Sequence, residues 1–332
     1  MPHKVAVLGA AGFGGALAAR LLYTHPGFEL AAVTARSDVG RRLDELYPHH
    51  RVPLVLEELD LDRHSNVEAA VVAYPHGAAA PVVSALIERE VRVVDLSADF
   101  RLRDPAVYGE WYREHLAPDL LGDAVYGLPE LYRHVLPGAD LVANPGCYPT
   151  ATILALAPLA RAGVIQDVVI DAKSGVSGAG RTATEKTHFV TVDENVNAYS
   201  VPRHRHTPEI EQELAVLGAD LPVTFTPHLV PLDQGELVSC YVTVTRDVDA
   251  GELEALYHDA YDAEPFVELA TLPPGMRDVR ESNFCRISVH RDERTGRVIV
   301  FGAIDNLWKG AASQAVQNLN LMFGRPEGEG IS

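Results

Sequence analysis

Cysteine is nearly absent: Cys147, Cys240 and Cys285 are the only three in a chain of 332 residues. So sparse and odd a set argues against a disulfide framework and for a reducing compartment. No CxxC pair and no Cys/His spacing suggests structural zinc, so no metal is expected. Positive charge is also scarce. Lys and Arg number 28 against 46 Asp and Glu, for a net charge of −18, and lysine occurs only four times. With no basic block, a nucleic-acid or anionic-membrane surface is not expected. Long apolar runs are missing too, and none approaches the ~20 residues of a membrane span. The start, MPHKVAVLGAAGFGGALA, has the outline of a signal peptide. However, glycines interrupt its apolar part and it flows into a helical pattern carrying Arg20. It reads as a cytoplasmic strand–loop–helix. Fixed-period repeats, low-complexity tracts and obvious linkers are likewise absent.

What is present is a core-forming chain, 47% apolar, of a length that suits two domains. The first half alternates. KVAVLG (Lys4–Gly9), ELAAVTAR (Glu29–Arg36), EAAVVAYP (Glu68–Pro75), VRVVDLSA (Val91–Ala98) and DLVAN (Asp140–Asn144) are short apolar runs, several separated by helical patterns such as ALAARLLYTH and AAAPVVSALIERE. Continuous apolar strands between helices predict a Rossmann-type α/β domain, a parallel sheet covered on both faces. The second half has longer, partly alternating runs: VIQDVVIDAKSG, PVTFTPHLVP, ELVSCYVTVTRD and CRISVHRDERTGRVIVFGAID, the last with a hairpin turn around DERTG. With few helices between them, these predict an α+β domain whose sheet is mainly antiparallel with helices on one face. NLWKGAASQAVQNLNLMFG reads as an amphipathic carboxy-terminal helix. The expected division is 1–147 with 306–332 for the dinucleotide-binding domain, and 148–305 for the catalytic and oligomerisation domain.

GAAGFGG places Gly9, Gly12 and Gly15 between the first strand and the first helix. Glycines there permit a tight turn, let backbone approach a pyrophosphate, and aim helix amides at it. Ala11 and Phe13 lie in the same loop. Where NAD sites carry an acid at the end of the second strand, this chain has TARS, with Arg36 and Ser37. A guanidinium suits a 2′-phosphate, so the expected cofactor is NADP.

NPGCYPT puts Cys147 in a Pro/Gly turn immediately before a helical run. A helix start stabilises a thiolate, whereas Cys240 and Cys285 sit inside strand patterns and read as core. RHRHTPEIEQEL sets His204 and His206 just before another helix, with Glu209 in its first turn. Spacing alone does not choose between the two histidines, and no third ligand favours a metal there.

GAAGFGG, YPHG, DLSADFRL, VYGLPEL, NPGCYPTAT, SGVSGAGR, HRHTPEI, FTPHLVP and AIDNLWKG together cover nearly the whole chain. In them the sequence resembles the N-acetyl-γ-glutamyl-phosphate reductases, NADPH-dependent enzymes of arginine biosynthesis. The resemblance implies the two-domain plan of aspartate-semialdehyde dehydrogenase, a soluble homo-oligomer (dimer or tetramer) and a small acyl-phosphate substrate. It makes Cys147 the nucleophile and His204 the acid/base, and places Asn306 near the nicotinamide. Arg101, Ser177, Tyr199, His206 and Glu209 fall in the implied substrate pocket, and SGVSGAGR is a turn whose amides would meet phosphate. Three positions depart from the family pattern: Phe13 replaces a usual Tyr, Tyr74 a usual Leu, and Gln234 a usual Arg. Three other readings stay open here: a reductase of lysine biosynthesis acting on a carrier-linked acyl phosphate, an aspartate-semialdehyde dehydrogenase, and a non-catalytic dinucleotide-binding sensor.

Overall fold

The computed structural model describes residues 2–331. The chain forms two compact units: one takes the residues up to Gly146 and those from Ala311 on, the other Cys147–Gly310.

The first unit is built on a six-stranded sheet of order β2-β1-β3-β4-β6-β5. Its strands are β1 (His3–Leu8), β2 (Phe28–Thr34), β3 (Ala69–Val72), β4 (Arg92–Asp95), β5 (Val125–Tyr126) and β6 (Leu141–Ala143). Every pairing is parallel. Ala6, Leu8, Ala70, Val72, Val93, Leu141 and Ala143 share one core cluster with Ala80, Val83 and Leu86 of a helix spanning Ala80–Ile87. The alternate residues Val5, Val7, Val71, Val94 and Val142 are also buried, so both faces are covered. Helix α1 (Phe13–Tyr23) packs on β2 and against the carboxy-terminal helix, Ser313–Met322. β5 has no counterpart among the expected strands. It is two residues long and exists by pairing with β6, too short for any periodicity to reveal.

The carboxy-terminal helix differs from its amphipathic expectation, for all ten residues are buried. Several of its polar side chains donate hydrogen bonds inside the unit. Gln317 donates to Glu327 Oε1 (2.8 Å), Asn318 to the Gly127 carbonyl (2.9 Å), and Asn320 to the carbonyls of Glu327 and Glu329 (3.0 and 2.9 Å). Polarity here marks buried hydrogen bonding and not a solvated face.

The second unit holds a seven-stranded sheet of order β11-β12-β13-β10-β7-β9-β8. The strands are β7 (Ile165–Ser174), β8 (Asn197–Ala198), β9 (Thr224–Leu229), β10 (Glu236–Val244), β11 (Val267–Leu269), β12 (Cys285–Asp292) and β13 (Arg297–Ile304). The pairings of β10 with β7 and β13, of β12 with β13, and of β8 with β9 are antiparallel, while β7–β9 and β11–β12 are parallel. The helix Cys147–Arg161 lies against β10 and β13. Val168, Ile170, Ala172, Val238, Cys240, Val242, Val298 and Val300 are fully buried, and the strand alternation sets them on one face. A helix over Thr207–Val216 and another over Ala250–Tyr261 pack against Cys147–Arg161. Tyr257 and Tyr261 clamp the pair, donating to the carbonyls of Ala155 (2.6 Å) and Leu154 (2.5 Å). The opposite face of the sheet carries half-buried Val169, Tyr241, Ile299 and Phe301.

Among the described residues, no helix is long and apolar enough to cross a membrane.

Candidate active site

In the first unit, Gly9 has φ = +92°, and a Cβ there would sit 2.4 Å from the Ala73 carbonyl oxygen. A Cβ at Gly15 would lie 2.4 Å from the Gly9 carbonyl oxygen. Both positions therefore require glycine. Gly12 is the N-cap of α1 and supplies no side-chain hydrogen bond, so the amides of the first turn stay available to an anion. Tyr47 donates to the Ala11 carbonyl (2.8 Å) and meets Phe13 edge-on at 6.3 Å. It pins the loop from outside the motif. The exposed Arg36 guanidinium stands 5.1 Å over the ring of Tyr74, with Ser37 exposed beside it in the chain. The departure at Tyr74 thus gives Arg36 an aromatic shelf. This loop fits the diphosphate and ribose end of a dinucleotide.

The motifs YPHG and DLSADFRL lock together through Asp99. Its carboxylate accepts from the amides of Gly77 (2.6 Å), Ala79 and Ala80 (3.0 Å each) and from the Tyr108 hydroxyl (2.8 Å). Arg101, 5% exposed, donates to the carbonyls of Asn144 and Leu96, both at 2.8 Å. At least part of its guanidinium braces the end of β6.

In the second unit, Cys147 opens its 15-residue helix and is partly exposed. Gly310 makes room for it, since a Cβ at Gly310 would come 2.7 Å from the Cys147 Cβ. Tyr148, 2% exposed, turns its ring toward His204 (5.6 Å), His206 (5.9 Å) and Phe225 (5.3 Å). Tyr199 donates to the Tyr148 hydroxyl (3.2 Å) and meets His204 edge-on at 5.3 Å. The fold thus brings Cys147, Tyr199, His204 and His206 together around one buried tyrosine. Glu209, 1% exposed, sits in the first turn of Thr207–Val216, for which His206 is the N-cap.

His204 accepts from the His206 amide at Nδ1 (3.1 Å), which leaves its proton on Nε2. Burial, with Arg205 next, lowers it to about 4. The imidazole is neutral at pH 7. That supplies a hydrogen-bond donor, not the imidazolium that would ion-pair with a thiolate.

Two candidates are held differently from the reading of the sequence. Asn306, 3% exposed, accepts from the Gly235 amide (2.8 Å) and donates to the Ser177 hydroxyl (3.0 Å). It braces two turns. In SGVSGAGR, the amides of Gly175, Val176 and Ser177 donate to the carbonyls of Gly235, Leu232 and Asp233 at 2.9–3.0 Å. Gly178 and Gly180 close onto Gly175 and Ser177. Those five amides are therefore committed to backbone and do not meet a phosphate. The local pattern of glycines could not reveal the partner strand end that consumes them.

Glu236 escaped notice. It opens β10 in phase with Val238, Cys240 and Val242 and is fully buried. A charged residue in step with the apolar positions of a strand was the available signal.

A glycine loop ahead of a helix, followed by a unit that begins with a cysteine opening a helix, is the plan of a semialdehyde dehydrogenase. Residues 4–139 match "Semialdehyde dehydrogenase, NAD binding domain" and residues 147–306 match "Semialdehyde dehydrogenase, dimerisation domain". Aspartate semialdehyde dehydrogenase II of Vibrio cholerae has the same fold: TM-score 0.73, 19% identity, 97% of this chain and 98% of that one. So has the Candida albicans aspartate semialdehyde dehydrogenase crystallised with NADP, at TM-score 0.71 and 15% identity over 97% of this chain and 98% of that one. The N-acetyl-gamma-glutamyl-phosphate reductase of Desulforudis audaxviator is 52% identical, covering 99% of this chain and 97% of its own length. That of Desulforamulus reducens is 49% identical over 98% and 96%. The chain belongs to the N-acetyl-gamma-glutamyl-phosphate reductase family.

Proposed function

We propose that the protein reduces N-acetyl-γ-glutamyl phosphate to N-acetylglutamate 5-semialdehyde, with release of phosphate, as a step of arginine biosynthesis in the cytoplasm. The observation that carries the reading is Cys147 at the head of its helix, in a chain 52% identical to a reductase of that name along 99% of its length. The thiolate of Cys147 attacks the acyl carbonyl, phosphate leaves, and a thioester remains. A dinucleotide, when bound, would supply hydride to that thioester. The resulting thiohemiacetal collapses to the aldehyde and frees the thiol. His204, neutral with its proton on Nε2, donates toward the oxygen that gains charge, and helix-start amides near Cys147 do the same. Tyr199, His206, Glu209 and Ser177 shape and brace the substrate pocket. The test is the reverse reaction, reduction of NADP with N-acetylglutamate semialdehyde and phosphate. Turnover confined to a carrier-linked substrate replaces this reading, and binding of the dinucleotide without any turnover makes the protein a sensor.

The cofactor of the reading is NADP, held by Gly9, Ala11, Gly12, Phe13, Gly15, Arg36 and Ser37. The support is Arg36 on its Tyr74 shelf where an acid would select NAD. Replacing Arg36 with Glu is expected to weaken NADPH by about 1–3 kcal/mol and to spare NADH. Titration of both by fluorescence decides it, and equal loss for both, or a wild type that prefers NADH, overturns the assignment. The match to a dimerisation domain and the half-buried face with Val169, Tyr241 and Phe301 support a homo-oligomer formed through that sheet face.

A further inference from the structure

Glu236 is a carboxyl group fully withdrawn from solvent. Neither of its oxygens makes a protein hydrogen bond of ordinary geometry among the described residues. Burial this complete is costly for a charged carboxylate, which needs a compensating neighbour. The register places it. Glu236 pairs with Ser174 on one side and Ile304 on the other, on the face against which the Cys147 helix packs. Gly310 joins the two ends: a Cβ there would lie 3.2 Å from Ile304 and 2.7 Å from Cys147. The Cys147 thiol is the neighbour whose hydrogen bonding offsets the desolvation of Glu236.

We propose that Glu236 is the proton partner of Cys147: it takes the thiol proton as the thiolate attacks and returns it to the departing phosphate. This rests on Cys147 as the nucleophile. In the forward direction the S–H proton moves to a Glu236 carboxylate oxygen. The S–C bond forms as the C–O bond to phosphate breaks, and the phosphate leaves carrying the proton from Glu236. Hydride then converts the thioester to the thiohemiacetal oxyanion, the C–S bond breaks to release aldehyde and thiolate, and solvent reprotonates the sulfur. One acyl phosphate, one reduced dinucleotide and one proton become aldehyde, oxidised dinucleotide and hydrogen phosphate.

The electrostatics suit a shared proton. Burial raises Glu236 to about 8, with the thiol opposing and Asp305 adding to the rise. Asp305 is itself raised by burial, while the amides of Glu281, Leu307 and Trp308 counter that. The Tyr148 and Tyr199 phenols, which both feel Glu236 and Cys147, are pushed up by burial and stay neutral. Lys173, Asp171 and His228 stand on the other sheet face by register. Two adjacent anions are unfavourable, so thiol and carboxyl release their protons in two separated steps. The once-deprotonated pair is the reactive form.

The experiment is the rate of Cys147 alkylation by iodoacetamide against pH, which needs no substrate. In wild type it is expected to rise in two steps, the first near pH 8. In Glu236→Gln a single step is expected, with kcat lowered ~10²–10⁴-fold and KM little changed. Glu236→Asp is expected to recover part of kcat. A one-step profile in wild type overturns the proposal even if no variant folds, and so does unimpaired turnover by a folded Glu236→Gln. Failure of the wild type to turn over acyl phosphate counts against the proposed function instead, and leaves the alkylation result standing.

Discussion

Replacing Cys147 with alanine is expected to abolish turnover and leave dinucleotide affinity unchanged. No other thiol can substitute. Cys240 and Cys285 are fully buried, and burial also pushes the Cys240 thiol up, so neither offers a thiolate to a substrate. The dinucleotide loop and Arg36 belong to the first unit, whereas Cys147 begins the second. Removing one sulfur at a partly exposed helix start leaves no large cavity, and the helix itself is held by its buried face and by Tyr257 and Tyr261. The measurements are steady-state turnover and an NADPH fluorescence titration, with mass mapping of iodoacetamide adducts. Label is expected on Cys147 alone in the folded protein. Normal turnover by the alanine variant, or faster labelling of Cys240 or Cys285, sinks the thioester mechanism.

His204→Asn is expected to lower kcat by ~10²–10⁴-fold, the usual contribution of a positioned proton donor. His206→Asn is expected to act mainly on KM. The pH dependence separates His204 from an ordinary histidine. Its folded value, about 4, lies below the ordinary histidine value of 6.5. The unfolded chain therefore binds the extra proton first, between those values. The stability it contributes is fully present above about 6.5 and declines as pH falls toward about 4. Activity should accordingly show no histidine inflection near 6.5. On the proposed pairing of Cys147 with Glu236, the alkaline-side rise is expected to come from those two groups. A wild-type profile with a clear inflection near 6.5 that vanishes in His204→Asn would show that the imidazole titrates as a surface group and would reject the buried neutral donor.

Much of the molecule is legible in its amino-acid sequence. Apolar runs of β-rich residues separated by helical patterns dictate a parallel sheet, because a strand apolar on both faces must be covered on both. The alternation in ELVSCYVTVTRD and GRVIVFGAID dictates strands with two unlike faces, and Gly9 and Gly15 are required by backbone contacts that any side chain would violate. Cys147 stood out because a thiol in a Pro/Gly turn before a helix has no packing reason to be there. These are local signals, carried by period and by residue type.

Tertiary structure decided what depends on partners distant in sequence. The commitment of the SGVSGAGR amides is set by carbonyls of residues 232–235, and that of Asn306 by Gly235 and Ser177. The burial of the whole carboxy-terminal helix follows from hydrogen bonds to Gly127, Glu327 and Glu329. The lowered value of His204 and the raised value of Glu236 both follow from desolvation, and desolvation is a property of everything packed around a group. The sequence thus determined the sheets, the glycine loop and the placing of Cys147 at a helix start. The protonation states of the groups around Cys147 were decided only when the strands, the Tyr148 ring and the Cys147 helix excluded water from them.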